Sequence, residues 1–516
     1  AQERVKEKIR EHRLNRVVVA SCSPRTHEPL FRNTCREAGL NPYLFEMANI
    51  RDQCSWVHAF EPERATQKAK DLVRMALAKS RLLEPLQRGS APVHKAALVV
   101  GGGLAGMVSA LDLAEQGYEV SLVERDAELG GNLRRIRYLG NGEDPQAALR
   151  SLVAKVRANE RIRVFPHATI EAVEGSVGSF KSTIARNGSL ERVEHGVVVV
   201  ATGAKEHRPT EHLYGEDERV LTQLELEERL ASRGGEGLPF MVVMIQCVGS
   251  RDAERPYCSR VCCSEDIKNA LKIKELSPRT HVYVLYRDIQ TYGFRESYYT
   301  KARQKGVVFL RHEDDRKPVV TRGDDGGLVV TVYDPQLKRD IAIEAGLVVL
   351  SAGTVPHEEN KGIAQLLKVP LNQDGYFLEA HMKLRPVDFA TDGVFVCGLA
   401  HAPKTIDESI IQAHAAAARA ASVLSQDALE LEATISEVVD ESCDGCAYCV
   451  DTCPYHAITL LEYMRGGAIK KIVETDETAC KGCGSCQATC PKNAIFVRGF
   501  RLGQIGAQID AALGLE

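Results

Sequence analysis

The stretch ALVVGGGLAGMVSALDLAEQGYEVSLVERDAELGG, residues 97–131, decides the fold. An apolar run ends in a Gly-x-Gly-x-x-Gly turn at Gly101, Gly103 and Gly106. A helical pattern follows, then a second apolar run that closes on Glu124 and Arg125. Glycines at this spacing let the backbone approach a pyrophosphate, whose charge is favoured at the N-terminus of the next helix. Glu124 stands where an acid that binds a ribose hydroxyl belongs. A lone glycine fingerprint is weak evidence, but here strand, helix and acid are in register. The reading is a dinucleotide site rather than a structural turn, with Gly130, Gly131 and Asn132 as further contacts.

The same texture continues outward. YEVSLVE, GVVVVATG (196–203), FMVVMIQC (240–247), HVYVLYRD (281–288) and GLVVLSAG (346–353) are strand-like runs between helical segments. Strands alternating with helices predict an α/β protein with parallel sheets. Before this region, RVVVASCSP (16–24) reads as a strand and RATQKAKDLVRMALAKSRLL (64–83) as an amphipathic helix. EPLQRGSAPVHK (84–95) reads as a linker.

Composition narrows the class. The 516 residues allow several domains. A net charge of −4 gives no reason to expect nucleic acid or an anionic membrane. No apolar run reaches the roughly 20 residues of a spanning helix, and no secretory signal is visible. Sixteen cysteines at short spacings imply a reducing compartment, so the expected location is cytoplasmic. The chain opens at Ala1 without an initiator Met, and its N-terminus is expected to be processed or incomplete.

The strongest motif lies near the end. Cys443, Cys446, Cys449 and Cys453 precede Pro454, and Cys480, Cys483, Cys486 and Cys490 precede Pro491. This doubled run is the bacterial two-cluster ferredoxin pattern, in which the fourth cysteine of each run ligates the other 4Fe–4S cluster. One cluster should take Cys443, Cys446, Cys449 and Cys490, and the other Cys480, Cys483, Cys486 and Cys453. Such clusters pass single electrons, whereas a flavin accepts two and releases them singly.

Taken together, residues 96–425 resemble the thioredoxin reductase and glutathione reductase group of flavoproteins with two dinucleotide-binding domains. The marks are the fingerprint, VVVVATGA (197–204) with Thr202 and Gly203, VVLSAGTVP (348–356) and TDGVFVCGLAHAPKTIDESIIQAHAAAARA (391–420). The resemblance implies FAD at the first fingerprint, and Gly398, Gln412 and Ala413 beside the flavin. Leu399 stands where that group usually has Asp, so the ribityl contacts are in question.

A second glycine fingerprint should follow FMVVMIQC, but QCVGSRDAERPYCSRVCC (246–263) stands there instead. Direct NAD(P)H binding is therefore not expected, and no CxxC disulfide replaces it. Cys247, Cys258, Cys262 and Cys263 could supply four thiolates to an iron–sulfur cluster or zinc, or be ordinary buried thiols. Ser264 reads as the N-cap of the helix EDIKNALKIKEL, whose dipole would favour a cluster's charge.

RVVVASCSPRTHEPLFRNTCREAGLNPYLFEMANIRDQCSWVH (16–58), the FAD unit, YCSRVCC and the terminal ferredoxin run together resemble, from end to end, the heterodisulfide reductase A-subunit (HdrA) family. The resemblance implies a third 4Fe–4S cluster on Cys247, Cys258, Cys262 and Cys263. It also implies a lysine near the flavin, by position Lys268, whose bland reading is a solvated helix lysine. Electron bifurcation at FAD is implied, within a complex that holds disulfide-reducing subunits and a hydrogenase, formate or NADH module. Ferredoxin and a second copy of the chain are expected partners. The alternative is a non-bifurcating relay and assembly hub in an aromatic acyl-CoA reductase or sulfur-metabolism complex. Some relatives insert another ferredoxin domain, for which residues 132–165 are too short.

The expected organisation is an N-terminal α/β domain at 1–88 and a first FAD-binding part at 96–210. An inserted domain at 211–345 carries the cysteine site, and a second FAD part covers 346–428. A two-cluster ferredoxin domain follows at 436–500, then a tail at 501–516. Cys22, Cys35 and Cys54 could supply or contact a cluster, but their spacings match no ligand motif and they read rather as buried structural thiols; Cys397 reads as core. His27 and His401 could move protons or be structural. QIGAQIDAAL (504–513) has the spacing of a helix that docks on a partner.

Overall fold

The computed structural model describes residues 2–465 and 468–515. By its contacts the chain forms two compact units, one of residues 92–427 and one of residues 1–91 with 428–516.

The larger unit contains the same architecture twice. In the first repeat, five parallel strands run in the order Val394–Val396, Val197–Val200, Ala96–Val100, Glu119–Val123 and Ile162–Phe165. In the second, the order is Val220–Thr222, Leu347–Ala352, Met241–Val248, His281–Tyr286 and Val308–Arg311. Each repeat adds a three-stranded antiparallel sheet, Ala168–His195 in the first and Val319–Ala345 in the second.

Valine-rich runs form the central strands because both faces are covered: Val197–Val200 and Val348–Leu350 are almost wholly excluded from solvent. Leu98, Phe165, Phe377 and Phe389 fill the first core, and Met244, Ile267 and Val349 belong to the second. The antiparallel pair Ala204–Glu206 with Thr354–Pro356 ties the repeats together. The architecture is the thioredoxin reductase-like α/β fold.

In the other unit, Val17–Ser21 pairs in parallel with Phe45–Asn49. The helix expected at 64–83 runs Pro62–Arg81. The cysteine-rich segment pairs Ser436–Val438 with Ile495–Val497 and folds Ile458–Arg465 back on Ala468–Thr475. The tail helix Leu502–Leu513, expected to dock on a partner, leaves Leu502, Ile509 and Leu513 exposed. It packs on Pro62–Arg81 of its own chain, where Gln504 Nε2 donates to the Leu82 carbonyl at 2.8 Å and Arg74 Nη1 to that of Ala511 at 3.3 Å. Among the described residues no helix is long and apolar enough to cross a membrane.

Candidate flavin and iron–sulfur sites

The fingerprint turn lies between Ala96–Val100 and the helix Leu104–Glu115. Gly101 takes φ +109°, where a side chain would be strained and a Cβ would lie 2.4 Å from the Ala201 carbonyl oxygen. A Cβ on Gly106 would lie 1.8 Å from the Gly101 oxygen, so this glycine lets the helix close on the turn. Gly103 differs: nothing stands within 4 Å of where its Cβ would be. That open space is a cradle for a bound group. Glu124 accepts from Gly102 N at 2.7 Å and from Asp126 N at 2.8 Å, which fixes its carboxylate beside the turn.

These residues open onto a cavity of about 1590 Å³. Ordinary ligand pockets hold about 300–1,000 Å³, so this one suits an extended dinucleotide. Gly101, Gly103, Glu124, Arg125, Gly130, Gly131, Asn132, Thr202, Gly203 and Lys268 all line it. Asn132 Nδ2 donates to the Ala204 carbonyl at 2.8 Å, and Thr202 Oγ1 to Asn360 Oδ1 at 3.1 Å. His357 completes this part of the wall; burial, then the Arg125 guanidinium, pull its imidazole down to about 4.

Three expected flavin contacts are not on the wall. Gly398 is buried, Ala413 is fully buried, and Gln412 is spent within the protein. Gln412 Oε1 accepts from Gly398 N at 2.9 Å and its Nε2 lies 3.3 Å from His401 Nδ1. The helix Ile406–Leu424 presents its first turn instead, so Leu399 and Thr405–Ile410 meet the cavity. Only the capping box of Thr405 and Glu408 could have signalled this in the sequence.

The cysteines of the second repeat converge at its central strand. Cys247 takes φ +62° where the register of Met241–Val248 shifts, a bulge that re-aims the side chain. The following loop is pinned by buried hydroxyls. Ser259 Oγ accepts from Thr354 N at 2.8 Å and donates to Ser250 Oγ at 3.2 Å, and Ser250 Oγ lies 2.9 Å from the Tyr257 carbonyl.

Cys262 and Cys263 are both buried, and burial pushes both above the ordinary thiol range. For Cys262 the other thiols of the quartet add to this, and Cys263 reaches about 12 with Cys247 and Asp266 adding against a backbone hydrogen bond at Gln290. Cys247, Cys258 and Cys263 thus lie close enough to Cys262 to influence its charge. Among the described residues no three such side chains meet closely enough for a single ion; a four-iron cluster needs a wider set.

Ser264 is not the N-cap. The helix runs Cys262–Leu276 because Val261 already has helical dihedrals, and no side chain caps it. Its first N–H groups therefore have no side-chain partner beside the thiols. The same helix carries Ser264, Glu265 and Lys268 on the cavity wall. Lys268 is no solvated lysine: Nζ lies 2.6 Å from Glu227 Oε2, which is fully buried, and 4.9 Å from the centre of the Tyr138 ring.

In the cysteine-rich segment the two halves repeat one another. Ala457 N donates to Cys453 Sγ and Ala494 N to Cys490 Sγ, both at 3.3 Å. Burial raises Cys449, with further effects from Cys486, Cys446 and Cys490, and it raises Cys486, with effects from Cys480 and Cys483. Cys490 thus lies near Cys449, across the two runs.

Of the other cysteines, Cys397 is fully buried, Cys35 and Cys54 nearly so, and Cys22 accepts from Arg51 Nη1 at 3.7 Å. His27 lies in the first turn of the helix Pro24–Glu37. No disulfide joins any of the sixteen cysteines.

The fold and these sites define an iron–sulfur flavoprotein oxidoreductase. Residues 95–243 match the pyridine nucleotide-disulphide oxidoreductase family, and residues 442–494 match the 4Fe-4S dicluster domain. The chain is 36% identical to the second iron–sulfur A subunit of the CoB--CoM heterodisulfide reductase of Methanopyrus kandleri over 555 residues, 89% of this chain and 84% of that one. It is also 36% identical to the A subunit of the H(2):CoB-CoM heterodisulfide,ferredoxin reductase of Methanothermobacter thermautotrophicus, over 89% of this chain and 83% of that one. Thioredoxin reductase of Lactococcus lactis overlays 64% of this chain and 99% of its own at 16% identity, with a TM-score of 0.46. The chain belongs to the heterodisulfide reductase A-subunit family. The 555-residue alignment is longer than the 516-residue chain, so the Methanopyrus relative carries segments this chain lacks.

Proposed function

We propose that this chain is the FAD- and iron–sulfur-bearing electron-transfer subunit of a heterodisulfide reductase-like complex in the cytoplasm, and that its flavin bifurcates electrons. One observation carries the reading. A single helix, Cys262–Leu276, bears two thiols of the cysteine quartet at its start and Ser264, Glu265 and Lys268 on the cavity wall. A cluster on that quartet would stand directly behind the wall of the flavin site.

Bound FAD supplies the conversion between electron pairs and single electrons. The protein supplies the rest. Gly103 leaves room for the pyrophosphate, Glu124 offers its carboxylate to the ribose, and the first turn of Ile406–Leu424 offers N–H groups. Lys268, held on Glu227, keeps an ammonium at the wall that favours anionic reduced flavin. Cys247, Cys258, Cys262 and Cys263 would hold the third 4Fe–4S cluster. The eight cysteines from Cys443 to Cys490 would hold the two ferredoxin clusters, with the fourth cysteine of each run serving the other cluster as the doubled motif implies.

Partners follow from this arrangement. A two-electron donor module would feed the flavin, ferredoxin would take one electron, and a disulfide- or thioester-reducing protein the other. The name of the Methanothermobacter relative couples hydrogen, a heterodisulfide and ferredoxin, which supports this division.

Anaerobic rapid mixing tests the ferredoxin arm, run in reverse. Reduced ferredoxin should bleach the flavin, whereas rapid bleaching by NADPH alone would overturn the loss of the nicotinamide site. One-electron potentials of the bound flavin test bifurcation: crossed potentials support it, and ordinarily ordered ones leave a plain relay.

A further inference from the structure

The cavity wall carries a half-buried cation with no role in the reading so far. Lys404 lies just before the Thr405 cap of the helix Ile406–Leu424 and lines the cavity. Its Nζ lies 2.8 Å from His401 Nδ1, and His401 Nε2 lies 2.6 Å from Glu379 Oε2. An ammonium has only donors and an ionised carboxylate only acceptors, so the network assigns His401 as a neutral imidazole protonated on Nε2. The His401 and Glu379 side chains are 19% and 10% exposed.

The surroundings hold Lys404 close to losing its proton. Burial, then the charge of Arg260, pull it down to about 8, against Glu408, Glu379 and Cys397. Arg260 reaches over from the cysteine loop: Nη1 donates to the Pro403 carbonyl at 3.1 Å, and Nη2 lies 2.6 Å from Glu408 Oε1 and 2.7 Å from the Tyr292 hydroxyl. Asp407, on the same turn, is taken by Arg295.

We propose that Lys404 donates the proton that accompanies two-electron reduction of a flavin ring lying against this wall, with His401 and Glu379 as positioning residues. The inference rests on the flavin reading above. The ring takes two electrons from reduced iron–sulfur centres and one proton from the ammonium. One N–H bond breaks on the lysine and one forms on a ring nitrogen. The resulting amine stays hydrogen-bonded to His401 Nδ1 and regains its proton from water. The carboxylate of Glu379 holds the ring of His401 so that a lone pair, not an N–H, meets the lysine.

The test is the pH dependence of the bound flavin's midpoint potential in anaerobically purified holoprotein, for wild type, Lys404→Met and Lys404→Arg, with flavin content measured alongside. Wild type should show a change of slope near pH 8, absent in both variants, and Glu379→Gln should move that break without abolishing it. Lys404→Arg keeps the charge, so it decides the matter if Lys404→Met loses flavin. A break that persists unchanged in a flavin-replete variant overturns the proposal. Wild-type protein that binds no flavin would instead overturn the flavin reading itself.

Discussion

After its central strand the first repeat turns on glycines, whereas the second turns on cysteines. Both turns begin with a residue at positive φ, Gly101 at +109° and Cys247 at +62°. Glycine takes that conformation freely; a cysteine there costs about 1 kcal/mol. The first turn is short and runs directly into its helix, leaving open space at Gly103 for a bound group. The second is an extended loop over 249–261 that brings thiols to the start of its helix. On the function proposed above, one scaffold position would offer either backbone N–H groups to a phosphate or sulfur to a metal cluster.

The sharpest way to break this comparison is to fill the glycine cradle. A Cβ at Gly103 would meet no protein atom within 4 Å and the backbone there is extended, so Gly103→Val is expected to fold. FAD affinity should fall by more than about 100-fold, some 2.7 kcal/mol, read by titrating flavin fluorescence. Retained flavin would mean the pyrophosphate lies elsewhere. The reciprocal change, Cys262→Ser with Cys263→Ser, should remove about four irons per chain, one 4Fe–4S cluster, and leave flavin bound. An iron and flavin assay checks it, and unchanged iron would reduce the quartet to buried thiols.

The antiparallel sheet of the first repeat should also respond to acid. His195 is 1% exposed, with Nε2 on Ser182 Oγ at 2.8 Å and Nδ1 donating to the Val197 carbonyl at 3.0 Å. Burial holds its imidazole down at about 4. The unfolded chain therefore binds more protons between pH about 6.5 and about 4, and stability present above that window is lost as pH falls through it. The loss should reach about 3 kcal/mol at one pKa unit per 1.36 kcal/mol. Urea melts of wild type and His195→Gln compare it; equal acid sensitivity would assign the effect to other groups. The smallest effect sharpens the contrast at the turns: Cys247→Gly should gain up to about 1 kcal/mol from relieved backbone strain while losing the quartet's iron.

What the sequence made legible was whatever chemistry sits at short spacing. The Gly101–Gly106 turn with Glu124, the doubled cysteine run and the missing second fingerprint are local patterns, and each lies where its motif requires. The contacts expected around Gln412 failed for a different reason: Gln412 and Ala413 were placed by resemblance, but their helix offers the cavity only its first turn. Ser264 looked like a cap because serine favours that position, yet the helix begins at Cys262 and Ser264 falls inside it. Lys404 and His401 share one loop, but Glu379 joins them from another, and Arg260 reaches Glu408 from the other repeat. No periodicity encodes such contacts.

The central claim, that the second repeat exchanged a nicotinamide site for an electron port, is tested most directly by iron and flavin content of the anaerobically purified protein. Three 4Fe–4S clusters and one flavin require about twelve irons per FAD. About eight irons, with the dicluster segment fully loaded, would contradict it.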